Sequence, residues 1–157
     1  MKITVMAMGK PRQDFILSGW QHYQIRLRPL LPVEWVFLPD PCKGKSISQD
    51  RRVALEGEQF LSKIGANDAL FLLDERGSLW TSVELSKRIY SELTAGGQGR
   101  LIFLIGGPYG VSPALRERAD VLLSLSKLTL THEMALLLLS EQIYRAAMIR
   151  EGSKYHH

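Results

Sequence analysis

Two stretches of this 157-residue chain carry residue types and spacings suited to holding a small molecule. The first, Gly106-Gly107-Pro108-Tyr109-Gly110, follows the apolar run Leu101–Ile105. Glycines at such a point allow turns at positive φ and let a ligand come close to main-chain amides. The second, Ser126-Lys127-Leu128-Thr129-Leu130-Thr131-His132, follows another apolar run, Val121–Leu125, and leads into a long helix predicted from Glu133 to Ile149. Leucines alternating with hydroxyls give apolar faces for a flat ring, while the neighbouring backbone can read its polar edge. His132, at the start of that helix, is an acid–base candidate whose ordinary structural use would be as a cap.

Other chemistries are excluded by what these motifs are not. Gly106-Gly107-x-x-Gly110 is not G-x-G-x-x-G and follows the fourth predicted strand, while the turn after the first, Gly9-Lys10-Pro11-Arg12, holds no phosphate cradle. A Rossmann dehydrogenase and a methyltransferase of that fold are therefore disfavoured. No P-loop, H-E-x-x-H or G-x-S-x-G occurs. One cysteine, Cys42, and four scattered histidines argue against zinc and rule out an internal disulfide, so no metal is expected. The N-terminus has no signal-peptide layout, and the longest apolar run, Met134–Leu139, is too short to span a bilayer. These features predict a cytoplasmic protein.

The elements that must position the two stretches alternate regularly. Lys2–Met8 reads as a strand, followed by a helix over 14–28 marked by Ile16, Trp20, Tyr23 and Leu27 at helical spacing. Val33–Leu38 is a second strand, and Cys42–Ser48 a basic loop. Val53, Gly57, Phe60, Leu61 and Ile64 mark a helix from Ser48 to Ile64. Ala69–Leu73 is a third strand, turned by Asp74-Glu75-Arg76-Gly77. Ser82 caps a helix to Thr94, and Ser112 with Pro113 opens a short one after the glycine run. Five strands, apolar on both faces, and five helices predict one α/β domain over residues 1–157 with a mostly parallel sheet and helices on both faces. Trp20, Trp35 and Trp80 read as core anchors. The overall charge is +4, but residues 1–52 hold nine Lys/Arg against four Asp/Glu. That bias is compatible with a nucleic-acid partner, although charge alone favours a solvated face.

At this level the chain resembles a known family. Leu73-Asp74, Ile105-Gly106-Gly107-Pro108, Leu123 through Leu130 with His132, Glu141-Gln142-x-Tyr144-Arg145-Ala146 and the terminal Tyr155-His156 are similar to the RlmH family of small SPOUT-type methyltransferases. The resemblance extends over the whole chain. It implies a C-terminal trefoil knot and cofactor loops within about residues 70–150, a homodimer, and S-adenosylmethionine as cofactor. Carried over by position, the cofactor residues are Leu73, Gly106, Leu125, Ser126, Lys127, Leu128, Thr129 and Leu130. The implied reaction is methylation of N3 of a pseudouridine in helix 69 of 23S ribosomal RNA, on the ribosome or its RNA. The residues expected to serve catalysis are His132 and, from the partner protomer's tail, Tyr155 and His156. Arg12, Lys127 and Arg145 are the cations expected to meet RNA, Arg145 having the alternative of pairing with Glu141.

Three positions depart from the family pattern. Thr131 replaces a proline, Tyr109 replaces the acid of GGPEG, and Leu136 replaces an arginine four residues after the histidine. The last predicts weaker RNA engagement, which Leu136→Arg would restore. It also leaves open a second reading, a non-catalytic RNA- or ribosome-binding relative of the same fold.

Overall fold

A computed structural model describes residues 1–156. Its elements are β1 Lys2–Met8, α1 Asp14–Leu27, β2 Val33–Leu38, α2 Gln49–Leu61, β3 Ala69–Leu79, α3 Ser82–Thr94, β4 Arg100–Ile105, α4 Pro113–Arg118, β5 Val121–Ser124 and α5 His132–Arg150. The five strands pair in parallel in the order β2-β1-β4-β3-β5. The predicted α/β class and parallel sheet are therefore present.

The period-2 alternation of β1 divides the core. Ile3, Val5 and Ala7 face a cluster with Leu85, Ile89, Leu136, Leu139 and Ile143, from α3 and α5. Met6 and Met8 face the opposite cluster, with Phe60 from α2 and Leu115 from α4. Leu101 through Ile105 of central β4 are buried throughout, as a strand covered on both faces must be. Helix α5 packs between α1 and α3, and α2 packs with α4.

Three boundaries differ from expectation for physical reasons. The segment 74–77 is not a turn: β3 continues to Leu79, because after a register shift Ser78 and Leu79 pair with Leu123 and Ser124 of β5. Gly77 permits this, since a Cβ there would lie 2.6 Å from the Leu122 carbonyl and the Leu123 nitrogen. Helix α3 is capped by Thr81 rather than Ser82: the Thr81 hydroxyl accepts from the Glu84 amide while Glu84 reaches back to the Thr81 amide. Ser48 lies outside α2 as its cap, accepting from the Arg51 amide at 3.2 Å. The tryptophans are partly buried anchors as expected, Trp20 meeting Trp35 and Phe37 edge-on and Trp80 meeting Phe71.

This strand order is what creates a site. Because β4, β3 and β5 are neighbours and all parallel, the connections that follow Ile105 and Ser124 and the register shift of β3 after Leu73 lie side by side at the carboxyl edge of the sheet. No described helix is long and apolar enough to cross a membrane.

Candidate functional site

These three segments enclose a cavity of about 860 Å³, within the usual range for sites that hold a nucleotide-sized ligand. Leu73 and Asp74 line it from β3, and Ile105 through Val111 from the connection after β4. Leu123 through Ser126 and Leu128 through Thr131 line it from β5 and the loop beyond. His132, Glu133 and Ala135 close it from the first turn of α5.

The β4–α4 connection is a tight turn. Gly107 and Gly110 bridge across it, the Gly110 amide donating to the Gly107 carbonyl at 3.1 Å. Only Gly110 in this run has positive φ, at 91°, so the expected left-handed path is confined to one residue. The pair Gly106-Gly107 is needed for another reason. A Cβ on Gly106 would lie 2.5 Å from Val111 Cγ1 and 3.0 Å from the Gly110 carbonyl. A Cβ on Gly107 would lie 2.7 Å from Glu56 Oε2. The close approach is made by the protein's own atoms behind the loop, not only by space for a ligand in front of it.

The β5–α5 loop is shaped by its hydroxyls. Ser124 Oγ donates to the Ser126 carbonyl at 2.9 Å, and Ser126 Oγ accepts from the Leu128 amide at 2.9 Å. The turn turns Leu128 outward, 76% exposed at the cavity edge, an apolar side chain with an open face. Thr131 caps α5 by accepting from the Met134 amide at 3.2 Å. That hydroxyl supplies what a proline at this position could not, and it frees His132, the first helical residue, to line the cavity. Glu133, buried, accepts from the Arg12 amide and so ties the β1–α1 connection down beside the site.

Asp74 is a charged wall residue that belongs to the Leu73-Asp74 motif but to which the sequence reading gave no role in the site. Burial raises its carboxyl, but the Arg76 amide at 3.0 Å and Arg116 Nε at 2.6 Å outweigh this and hold it below the usual aspartate range. The cavity thus contains an ionised, neutralised carboxylate at physiological pH. The available signal was a carboxylate ending an apolar strand. Gln13, Arg116 and Glu133 were missed as well, because only the tertiary fold brings them here.

The expected site residues fall into two groups. Leu73, Gly106, Leu125, Ser126, Leu128, Thr129, Leu130 and His132 meet around one cavity. Lys127 is exposed and outside its wall. Arg12 is exposed near the mouth, next to the wall residue Gln13. Arg145, Tyr155 and His156 form a separate cluster on α5. Arg145 donates to Glu141 Oε1 through Nε at 3.0 Å and Nη2 at 2.7 Å, and its guanidinium lies 4.8 Å from the Tyr155 ring centre. The Tyr155 hydroxyl donates to the same Glu141 oxygen at 3.2 Å, and His156 Nδ1 lies 3.4 Å from Arg145 Nη1. Burial and then the Glu141 charge push the Tyr155 phenol up to about 12, so it acts as a donor and not as a base. The tail is therefore seated on its own helix.

One expectation is overturned. Leu136 is 3% exposed and packs in the core with Leu139 and Ile143. Its side chain faces the sheet, so an arginine here would be driven into apolar surroundings rather than toward RNA. Its presence says nothing of lost RNA contact. Among the described residues, no group of three or more His, Cys, Asp or Glu is placed to hold a metal ion.

Comparison with known proteins agrees with the geometry. The sequence profile of the family described as "Predicted SPOUT methyltransferase" matches residues 1–156. A protein of Cytophaga hutchinsonii named "Ribosomal RNA large subunit methyltransferase H" is 39% identical over 157 residues, covering both chains in full. Proteins of the same name from Porphyromonas gingivalis and Chromobacterium violaceum are 35% and 37% identical, each covering at least 99% of both chains. Among solved structures, a probable methylase family protein from Haemophilus influenzae shares the fold, with a TM-score of 0.55 at 12% identity over 99% of this chain and 70% of the other.

Proposed function

The chain belongs to the SPOUT methyltransferases, among relatives named ribosomal RNA large subunit methyltransferase H, and on that premise we propose that it methylates N3 of a pseudouridine in helix 69 of 23S ribosomal RNA. The observation that carries this reading is the single cavity built by Leu73, Gly106 and the loop Leu125–Leu130 at the carboxyl edge of the sheet. Its chemistry fits S-adenosylmethionine. Leu125, Leu128 and Leu130 supply apolar surface for an adenine, and the glycine turn supplies main-chain groups for polar edges. Asp74, fixed by Arg116, is an acceptor for a hydroxyl or ammonium group.

When bound, the cofactor would supply the electrophilic methyl group. The protein's part is to hold the base in line and to take the N3 proton. Within the chain His132 is the titratable imidazole on the cavity wall. The tail residues Tyr155 and His156 serve the site of a second protomer in a two-fold dimer, Tyr155 as a hydrogen-bond donor and His156 as a proton carrier. Half-buried Met134, Leu137 and Leu138 on α5 are the apolar surface such a dimer would cover. Membership of the family implies a trefoil knot in the last third of the chain, and a ribosomal substrate implies a cytoplasmic protein. The non-catalytic reading rested on Leu136 and loses its support with the burial of that side chain.

The test is methyl transfer from isotopically labelled S-adenosylmethionine to ribosomes lacking this modification, with the product nucleoside located by mass spectrometry. One methyl per ribosome on a pseudouridine is expected, and His156→Ala should lower the rate about a hundredfold. Mixing and exchanging His156→Ala with the cofactor-loop variant Gly106→Val should restore roughly a quarter of normal activity, since one site in a mixed dimer is intact. Absence of labelled RNA would refute the activity; absence of recovery would refute the shared site.

A further inference from the structure

Tyr109 stands at the tip of the β4–α4 turn, a large aromatic ring held at the cavity mouth and 50% exposed. Its backbone is fixed by the Gly107–Gly110 bridge, so the ring is presented on a rigid support. From α2, the Arg52 guanidinium lies 6.0 Å from the ring centre. Arg52 is itself fixed, donating through Nη1 to Asp40 Oδ2 at 3.2 Å and Oδ1 at 3.3 Å. Asp40 is anchored in turn by accepting from the Cys42 amide at 2.8 Å. The β2–α2 connection and the first turn of α2, the segment that leads to Arg52, carry exposed Lys43, Lys45 and Arg51 together with exposed Asp50.

A half-exposed aromatic ring on a hydrogen-bonded turn, with a guanidinium over it and further cations on the segment that carries that guanidinium, has the chemistry of a nucleotide-stacking surface. The ring recognises the flat face of a base, and the surrounding lysines and arginine meet the backbone phosphates. We propose that Tyr109, braced by Arg52, is a substrate-positioning residue that stacks an unpaired nucleotide of the RNA beside the cofactor cavity. This rests on the reading of the protein as an RNA methyltransferase. Tyr109 differs from Leu125, Leu128 and Leu130 in origin and chemistry: it is carried by the other connection, and it is an aromatic ring rather than an aliphatic side chain. Its place is where a strand bearing the target base would enter. The Arg52–Asp40 pair is locally neutral, so stacking rather than net charge distinguishes the platform from the lysines around it.

The experiment compares wild type with Tyr109→Phe, Tyr109→Ala and Tyr109→Glu. It measures binding to ribosomes lacking the modification and to deproteinised large-subunit RNA, with S-adenosylmethionine affinity and thermal stability measured alongside. Tyr109→Phe should bind within about twofold of wild type, and Tyr109→Ala about tenfold more weakly, with an unchanged salt slope because no charge is lost. Tyr109→Glu, which restores the acid usual in the family, should lose affinity about as Tyr109→Ala does, because it removes the ring. In turnover, the loss should appear in KM for RNA and not in kcat at saturating RNA. Equal RNA binding by Tyr109→Ala and wild type overturns the proposal. So does a loss of cofactor affinity or of stability that matches the loss of RNA affinity, which would make Tyr109 a cavity or structural residue. If wild type itself fails to bind either RNA, the reading of an RNA substrate has failed, and the platform with it.

Discussion

Behind the glycine turn Glu56 is 4% exposed, and its Oε2 has no hydrogen-bond partner although it lies close enough to Gly107 to exclude any Cβ there. Burial first, and then the Asp40 charge, raise its carboxyl above the usual glutamate value of 4.5, with Arg52 acting in the opposite direction. A raised value in the folded state means that the folded chain holds this proton more tightly than the unfolded one. Its contribution is then fully present below about pH 4.5 and declines as pH rises through the raised value. Asp68 and Asp74 work in the opposite sense. Burial raises both, but hydrogen bonds and arginine partners outweigh it and lower them below 3.8, so their stabilisation is lost only as pH falls through those lowered values. Glu56→Gln should therefore match wild type in denaturant unfolding near pH 4.5 and become relatively more stable as pH rises toward neutrality. Parallel pH profiles for the two proteins would contradict this. The sequence marked Gly106-Gly107 as special for two reasons, positive φ and close approach of a ligand to the backbone; the first holds only at Gly110. The steric reason lies in Glu56 and Val111, one of them fifty residues away in the chain, and no local pattern reveals it.

The elements were legible almost throughout, because buried parallel strands and amphipathic helices have distinct periods. β1 and β2 were placed to the residue, and the other elements within a few residues except β3. The extension of β3 from Leu73 to Leu79 was not legible, since Asp74-Glu75-Arg76-Gly77 has the composition of a turn and is made a strand only by β5. Neither could periodicity supply the order β2-β1-β4-β3-β5, on which the convergence of the three segments depends. The β3–β5 contact is accordingly a sensitive point. Gly77→Ala places a methyl group against the Leu122–Leu123 backbone and should cost about 1–3 kcal/mol in urea unfolding. Because β5 feeds directly into Leu125–Leu130, the same variant should also weaken cofactor binding. Unchanged stability and affinity would show that β5 yields without consequence for the site.

At the scale of the whole molecule, every feature proposed to handle substrate lies toward the carboxyl edge of the sheet or on α5. The cavity is at the edge, the Tyr109–Arg52 platform is at its mouth, and the tail is clamped by Glu141 and Arg145 on the helix that begins in the cavity wall. The family motifs made the cavity loops legible: Leu73, Gly106 and Leu125–Leu130 line one cavity, with Lys127 alone outside the wall. The proposed activity requires that this cavity be the S-adenosylmethionine site. The direct measurement is isothermal titration of the protein with S-adenosylmethionine and with S-adenosylhomocysteine. The two should bind competitively, one per chain, with Lys127→Ala within about twofold of wild type. Gly106→Ala, whose methyl group displaces Val111 and the turn, should bind at least about tenfold more weakly. No heat of binding to wild type, or full affinity in Gly106→Ala, would contradict the assignment of the cavity.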